Sequence, residues 1–243
     1  HTGSGKSTLV QHLNGLLKPK SGSIVVGGTD ITSDGVVMRD IRKKIGLVFQ
    51  YPEYQLFEET VAKDVAFGPA NLGLSEAEID ECVKEAIEMV GLDYEKVKNV
   101  SPFELSGGQK RRAAIAGVIA MKPEVLILDE PTAGLNPKAH ADILNMVETI
   151  HRKSKNIIFL VSHNMNDIAS MSDKVLVMNN GRLVMDGTPA EVFSREEELK
   201  SMGLALPDSM EIMMRLKKAG MDINTDCLTM DEAAEEIAKV LAK

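Results

Sequence analysis

Three short apolar runs constrain this chain most: "IGLVF" stopping at Gln50, "VLIL" stopping at Asp129 and Glu130, and "IIFLV" stopping at Ser162 and His163. They lack the polar alternation of a half-exposed strand, so each reads as a strand buried on both faces. Helical patterns lie between them, and a fourth run, "KVLVMNNGRLV", reads as a further strand. Buried strands separated by helices predict an α/β fold with a mostly parallel sheet. In such a sheet the carboxyl ends of the strands form the ligand edge, and there each of the first three runs delivers polar side chains.

The helices can be placed in turn. Leu9, Leu13, Leu16 and Leu17 share a face of a first helix that stops before Pro19. Ser75 and Glu78 form a capping box ahead of an apolar face at Ile79, Val83, Ile87 and Val90, with Gly91 as the stop. Asn136 caps a helix that Pro137 opens, with Ile143, Val147 and Ile150 as its buried stripe. Residues 51 to about 117 read as a mostly helical insertion into an α/β domain spanning 1–192. The strands end after Phe193, and residues 193–243 read as a helical extension closing on a second capping box, Thr229 with Glu232. Tail residues Met210, Met213, Met214 and Met221 recur at near-helical spacing and are expected in a core or dimer interface.

Composition narrows the class. With 243 residues, 44% hydrophobic and 26% charged, the chain is ordinary for a globular protein, and its net charge of −8 argues against nucleic acid as a partner. Cys82 and Cys227 match no metal spacing and are expected to be buried thiols in a reducing compartment. No apolar run approaches the ~18 residues of a membrane span. No signal peptide is visible, and the expectation is a soluble, cytosolic chain.

The chemistry starts at "HTGSGKST". Thr2, Gly3, Ser4, Gly5, Lys6, Ser7 and Thr8 form a loop entering a helix, whose N–H groups and dipole can surround phosphate oxygens. Glycine permits close approach, Lys6 supplies a point charge and Ser7 can ligate Mg²⁺. Asp129 can hold Mg²⁺ through water, and Glu130 is placed to polarise a water attacking a γ-phosphate. His163 could bind that phosphate, and the amide of Gln50 could contact Mg²⁺ or the attacking water. Neither carries weight alone. In "LSGGQKRR", Ser106, Gly107, Gly108 and Gln109 precede a helix and make a second backbone anion site. Lys110, Arg111 and Arg112 read as a solvated helix face. Two phosphate-type sites suggest either two ligands or one ligand shared between subunits.

With "GSGKST", "LILDE" and "LSGGQ" together, the sequence resembles the ATP-binding cassette ATPases over nearly its whole length. The resemblance implies a P-loop NTPase fold, ATP and Mg²⁺ as ligands, and head-to-tail pairing with a second cassette, identical or different. Each ATP would lie between one subunit's residues 3–8 and the other's residues 106–109. A narrower likeness, "QYPEYQLFEETVAKDVAFGPANLGL" from Gln50 to Leu74, is similar to the ATPases of energy-coupling-factor importers of vitamins, cobalt and nickel. That implies a peripheral place on the cytoplasmic face of the membrane. A transmembrane T subunit would insert its coupling helices behind Gln50, with a substrate-binding membrane S subunit contacted indirectly. Arginines at the tips of those helices would meet acids, for which Glu53, Glu58 and Glu59 are the candidates.

Two departures matter. The loop's first glycine, and the strands and adenine-stacking aromatic that the family places before it, are not in this sequence. The sequence therefore reads as part of a longer chain, and these residues alone are expected to bind ATP poorly or fold badly. In "AGLNP", Asn136 stands where the family usually has aspartate. It keeps the cap and drops a negative charge, with some loss of activity at one ATP site expected. A conventional importer ATPase and a soluble non-transport cassette protein remain the rival readings.

Overall fold

The computed structural model describes residues 3–242. They divide into two units, residues 7–161 and residues 162–242 together with 3–6.

In the first unit, helix α1 (Lys6–Leu13) is followed by a minimal hairpin of β1 (Val25–Val26) and β2 (Thr29–Asp30), and α2 (Met38–Lys44) runs into β3 (Ile45–Val48). A series of helices follows: a 3-10 turn at Pro52–Gln55, α3 (Val61–Asn71), α4 (Glu76–Met89), α5 (Tyr94–Val97), a second 3-10 turn at Pro102–Glu104, and α6 (Gly107–Ile119). Then come β4 (Val125–Asp129), α7 (Pro137–Ser154) and β5 (Ile157–Val161). Strands β3, β4 and β5 are parallel in that order, with Val48 opposite Leu128 and Asp129 opposite Val161. Their carboxyl ends therefore share one edge.

Burial explains the parallel pairing and also its limit. Every residue of β3 is buried, as are Leu126, Ile127 and Leu128 of β4. Val10 of α1 packs with Ile45, Leu47 and Ile127. At Gly46 a Cβ would fall 2.7 Å from Val118, so the missing side chain lets α6 lie close against β3. Strand β5 departs from expectation: Ile157 is exposed and the rest only half-buried. Among the described residues β5 pairs only with β4, as does the fully buried β3, so its exposure reflects fewer elements packed over it and not its place at an edge.

The first helix is also shorter than its leucines predict. Gly15 takes a left-handed φ of 69°. Its N–H donates to the His12 carbonyl (3.0 Å) and Leu16 N–H to the Gln11 carbonyl (2.9 Å), which ends the helix in a Schellman motif. Val10 turns to the core, while Leu9, Leu16 and Leu17 are exposed. The other stops and starts agree with the sequence. Ser75 and Glu78 form their capping box, Gly91 ends α4 at φ 74°, and Asn136 caps α7 by accepting from Ala139 N–H (3.0 Å).

The second unit begins with α8 (Met165–Met171). The fourth apolar run forms two antiparallel strands, β6 (Val175–Asn179) and β7 (Arg182–Gly187). Asn180 and Gly181 take φ of 50° and 75° between them, the pair of left-handed residues that an Asn-Gly hairpin turn requires. Helices α9 (Pro189–Phe193), α10 (Glu196–Ser201), α11 (Asp208–Lys218) and α12 (Met230–Leu241) follow. Helix α11 joins two clusters. Met210 packs with Val177, Met185, Phe193 and Leu199, and Met213 with Ile223, Cys227 and Ala233. Both thiols, Cys82 and Cys227, are buried and free. Among the described residues no helix is long and apolar enough to cross a membrane.

Candidate nucleotide site

The loop before α1 has a backbone that could surround a phosphate. Gly3 and Gly5 lie at φ 81° and 96°, conformations that side-chain-bearing residues rarely adopt. Ser4 is buried, and its hydroxyl accepts from Lys6 Nζ (3.3 Å). The Ser4 carbonyl accepts from Gly181 N–H at the tip of the β6–β7 hairpin (2.9 Å), so both residues tie the loop within their own unit. Ser7 and Thr8 are exposed in the first turn of α1. Thr2 lies outside the described residues.

The carboxyl ends of β3 and β4 bring the next group together. Gln50 is exposed two residues beyond β3, and Asp129 is the last residue of β4. The Oδ1 of Asp129 is buried with no hydrogen-bond partner among the described residues. A buried carboxylate oxygen without a donor is costly unless a cation or its water serves it, so the acid fits a Mg²⁺ site. Glu130 follows at φ 51°, its N–H donating to the Val161 carbonyl (2.9 Å). Tyr51, directly after Gln50, is also left-handed at φ 56°. Outside glycine that conformation costs on the order of 1–3 kcal/mol, so surrounding contacts must hold each residue there. His163 is exposed two residues beyond Val161, the register partner of Asp129.

The "LSGGQ" turn opens α6. Ser106 is the N-cap and forms a capping box: its hydroxyl accepts from Gln109 N–H (3.4 Å), and Gln109 Oε1 accepts from Ser106 N–H (3.0 Å). The Gln109 amide oxygen is thus engaged within the helix start. Gly107 and Gly108 need no positive φ, and a Cβ on either would meet nothing within 4 Å. Glycine is a poorer helix former than alanine. Nothing in their own unit calls for them, whereas a ligand approaching the backbone would.

The basic residues behind this turn correct the sequence reading. Arg111 is 2% exposed and forms a bidentate pair with Glu53, Nε to Oε2 at 2.9 Å and Nη2 to Oε1 at 2.7 Å. Its Nη1 donates to the carbonyls of Pro131 (3.1 Å) and Ala133 (2.8 Å), and its guanidinium lies 5.8 Å from the centre of the Tyr51 ring. Arg112 is partly buried and donates to the Val90 carbonyl (2.9 Å). A solvated face was expected of the trio as a run of charge on a helix. Helical geometry instead turns Arg111 and Arg112 inward in different directions. Burial alone pushes the Glu53 carboxyl up, but the Arg111 hydrogen bond and charge outweigh it and hold the group below the usual carboxylate range. Of the other acids proposed to meet a partner, Glu59 pairs with Lys63 (2.5 Å) and Glu58 is half-buried.

Residues 1–133 match the family model described as "ABC transporter". The chain belongs to the ABC transporter family. It is 57% identical over 240 residues to the energy-coupling factor transporter ATP-binding protein EcfA2 of Clostridium tetani, covering 99% of this chain and 83% of that one. The EcfA2 of Caldanaerobacter subterraneus is 59% identical over 241 residues, covering 99% of this chain and 84% of that one. Among solved structures, cbiO1 from Clostridium perfringens, described as part of the ABC transporter complex cbiONQ, superposes with a TM-score of 0.73. Its identity is 38%, with 90% of this chain and 83% of that one covered. The dimeric post-hydrolysis ATP-binding cassette MJ0796, bound to ADP and Pi, gives 0.67 at 26% identity, covering 78% and 82%. As an ABC ATPase this chain binds ATP, and the glycine cradle and the unserved Asp129 oxygen are consistent with nucleotide and Mg²⁺.

Proposed function

We propose that this chain is the ATP-hydrolysing subunit that powers an energy-coupling-factor importer of vitamins or transition-metal ions, working through a membrane T subunit. Its likeness to two EcfA2 proteins over 99% of its length supports the assignment. The observation that carries the partner is the aromatic surface after Gln50. Tyr54 is 85% exposed, and Phe57 and Phe67 meet edge to face at 5.0 Å while both remain exposed. Solvent-facing aromatics beside acids Glu58 and Glu59 suit coupling helices that bring apolar residues and arginine. The S subunit is reached indirectly, and the chain sits peripherally on the cytoplasmic face. Residues 193–243 act as an extension to the cassette domain of residues 1–192.

In this reading residues 3–8 hold the phosphates, with Lys6 as the point charge and the α1 N-terminus favouring negative charge. Ser7, Gln50 and Asp129 would hold Mg²⁺, which when bound neutralises charge across the β- and γ-phosphates. Glu130 accepts a proton from the attacking water, Gln50 orients that water, and His163 hydrogen-bonds the γ-phosphate. Residues 106–109 of a second cassette, identical or different, close over the nucleotide. The side-chain-free backbone at Gly107 and Gly108 supports this.

Two measurements test the proposal. Gentle extraction of the tagged full-length protein from membranes, with mass spectrometry, should recover a T subunit, a second ATPase and a small substrate-binding membrane protein. A conventional permease pair would replace the reading with an ordinary importer. Glu130→Gln should abolish turnover while leaving ATP bound and the cassettes paired, and unchanged turnover would remove Glu130 as the base.

A further inference from the structure

We infer that Arg111, clamped by Glu53, is a positioning residue for ATP hydrolysis that holds Gln50 and Glu130 in register with the turn at residues 106–109. The inference rests on the family's ATPase activity and is independent of the identity of the membrane partner.

One guanidinium touches three segments proposed to contact nucleotide. It stands on α6, the helix that Ser106 caps. Its Nε and Nη2 grip Glu53 in the 3-10 turn that starts two residues after Gln50, and it lies against the Tyr51 ring. Its Nη1 donates to the carbonyls of Pro131 and Ala133, and Ala133 N–H in turn donates to the Glu130 carbonyl (3.1 Å). Tyr51 and Glu130 are both in the left-handed region, and both lie within reach of this one side chain's contacts. Conformations of that kind persist only where surrounding structure over-determines them. A planar fork with five donors suits such a task, and an ammonium does not. A shift of the Arg111 head would move the loop carrying Gln50 and the turn carrying Glu130 together.

A merely structural ion pair makes a different prediction. Replacing both partners of a buried pair by apolar residues of similar volume is often neutral or stabilising. The double variant Glu53→Met/Arg111→Met should then recover both stability and turnover. Under the positioning role turnover stays low whether or not stability returns, since Arg111→Met also takes the donor from the Pro131 and Ala133 carbonyls.

The test uses the full-length protein and counts turnover per bound nucleotide, so that unfolded molecules drop out. Arg111→Lys and the double variant should each lose roughly ten- to a hundredfold in kcat, as expected for misplacement of catalytic groups by a fraction of an ångström to one ångström. The KM for ATP should move less than about twofold, because the phosphate loop is untouched. Parental kcat per bound nucleotide in either variant overturns the inference, as does a raised KM with unchanged kcat. If the double variant does not fold, Arg111→Lys decides, since it retains the charge and the stem. Failure of the parental protein to recover a T subunit would count against the importer reading and leave this inference standing.

Discussion

Asn136 shows how one residue can be read twice. Its side chain accepts from Ala139 N–H, so it caps α7 as aspartate would. Asn136→Ala should cost about 1 kcal/mol in urea unfolding, and Asn136→Asp should leave stability unchanged or slightly raised, since both residues cap well and an acid suits a helix N-terminus. A loss in the Asp variant as large as in the Ala variant would show that Asn136 has another structural role. Glu53 carries a pH dependence. Burial pushes its carboxyl up, but Arg111 holds it below the usual range. A depressed carboxyl contributes stability that is fully present above its unfolded value and lost as pH falls through its folded value. The stability gap between the parent and Glu53→Gln should therefore be constant above about pH 5 and shrink below about pH 4.5. A gap that stays constant down to pH 3 would show that the charge of Glu53 contributes nothing.

Among the elements, α11 shows most clearly how the tail is built. Met210 and Met213, three residues apart on one helix, enter separate clusters, so the helix ties α9, α10 and the β6–β7 hairpin to α12. Met213 is fully buried, and Met213→Ala should cost about 2–5 kcal/mol through lost transfer energy and a cavity. Thermal unfolding would show this as a lower Tm, and hydrogen exchange should quicken first in α12, which presents only Ala233 as a buried residue. Spacing alone marked these methionines as packing residues. Their division between two clusters depends on where α10 and α12 meet α11, which no local pattern encodes.

For the whole molecule, the question is which acids remain available to a membrane partner. Glu53 is committed to Arg111 inside its own unit, whereas Glu59 forms only an exposed pair with Lys63. Exposed pairs contribute little to stability. Glu59→Lys should leave the fold intact and weaken retention of the T subunit in a membrane pull-down. Glu53→Lys should destabilise the protein itself, because it leaves the buried Arg111 facing a like charge. Full retention of the T subunit by Glu59→Lys would remove that acid from the proposed interface. The Glu53–Arg111 pair spans 58 residues of sequence, so neither partner announces the other.

The sequence by itself determined the α/β class, three of the buried runs as strands, the caps at Ser75, Asn136 and Thr229, the Gly91 stop and the motifs that place the chain among ABC ATPases. These are local: a strand's apolar period, a cap's oxygen and a glycine's left-handed φ are all set within a few residues. The tertiary structure decided that β5 lies half-exposed while β3, also an outer strand, is buried, that α1 turns Val10 inward, and that Arg111 is a buried clamp. Each depends on which surfaces meet, and such meetings are fixed only when segments distant in sequence compete for the same neighbours.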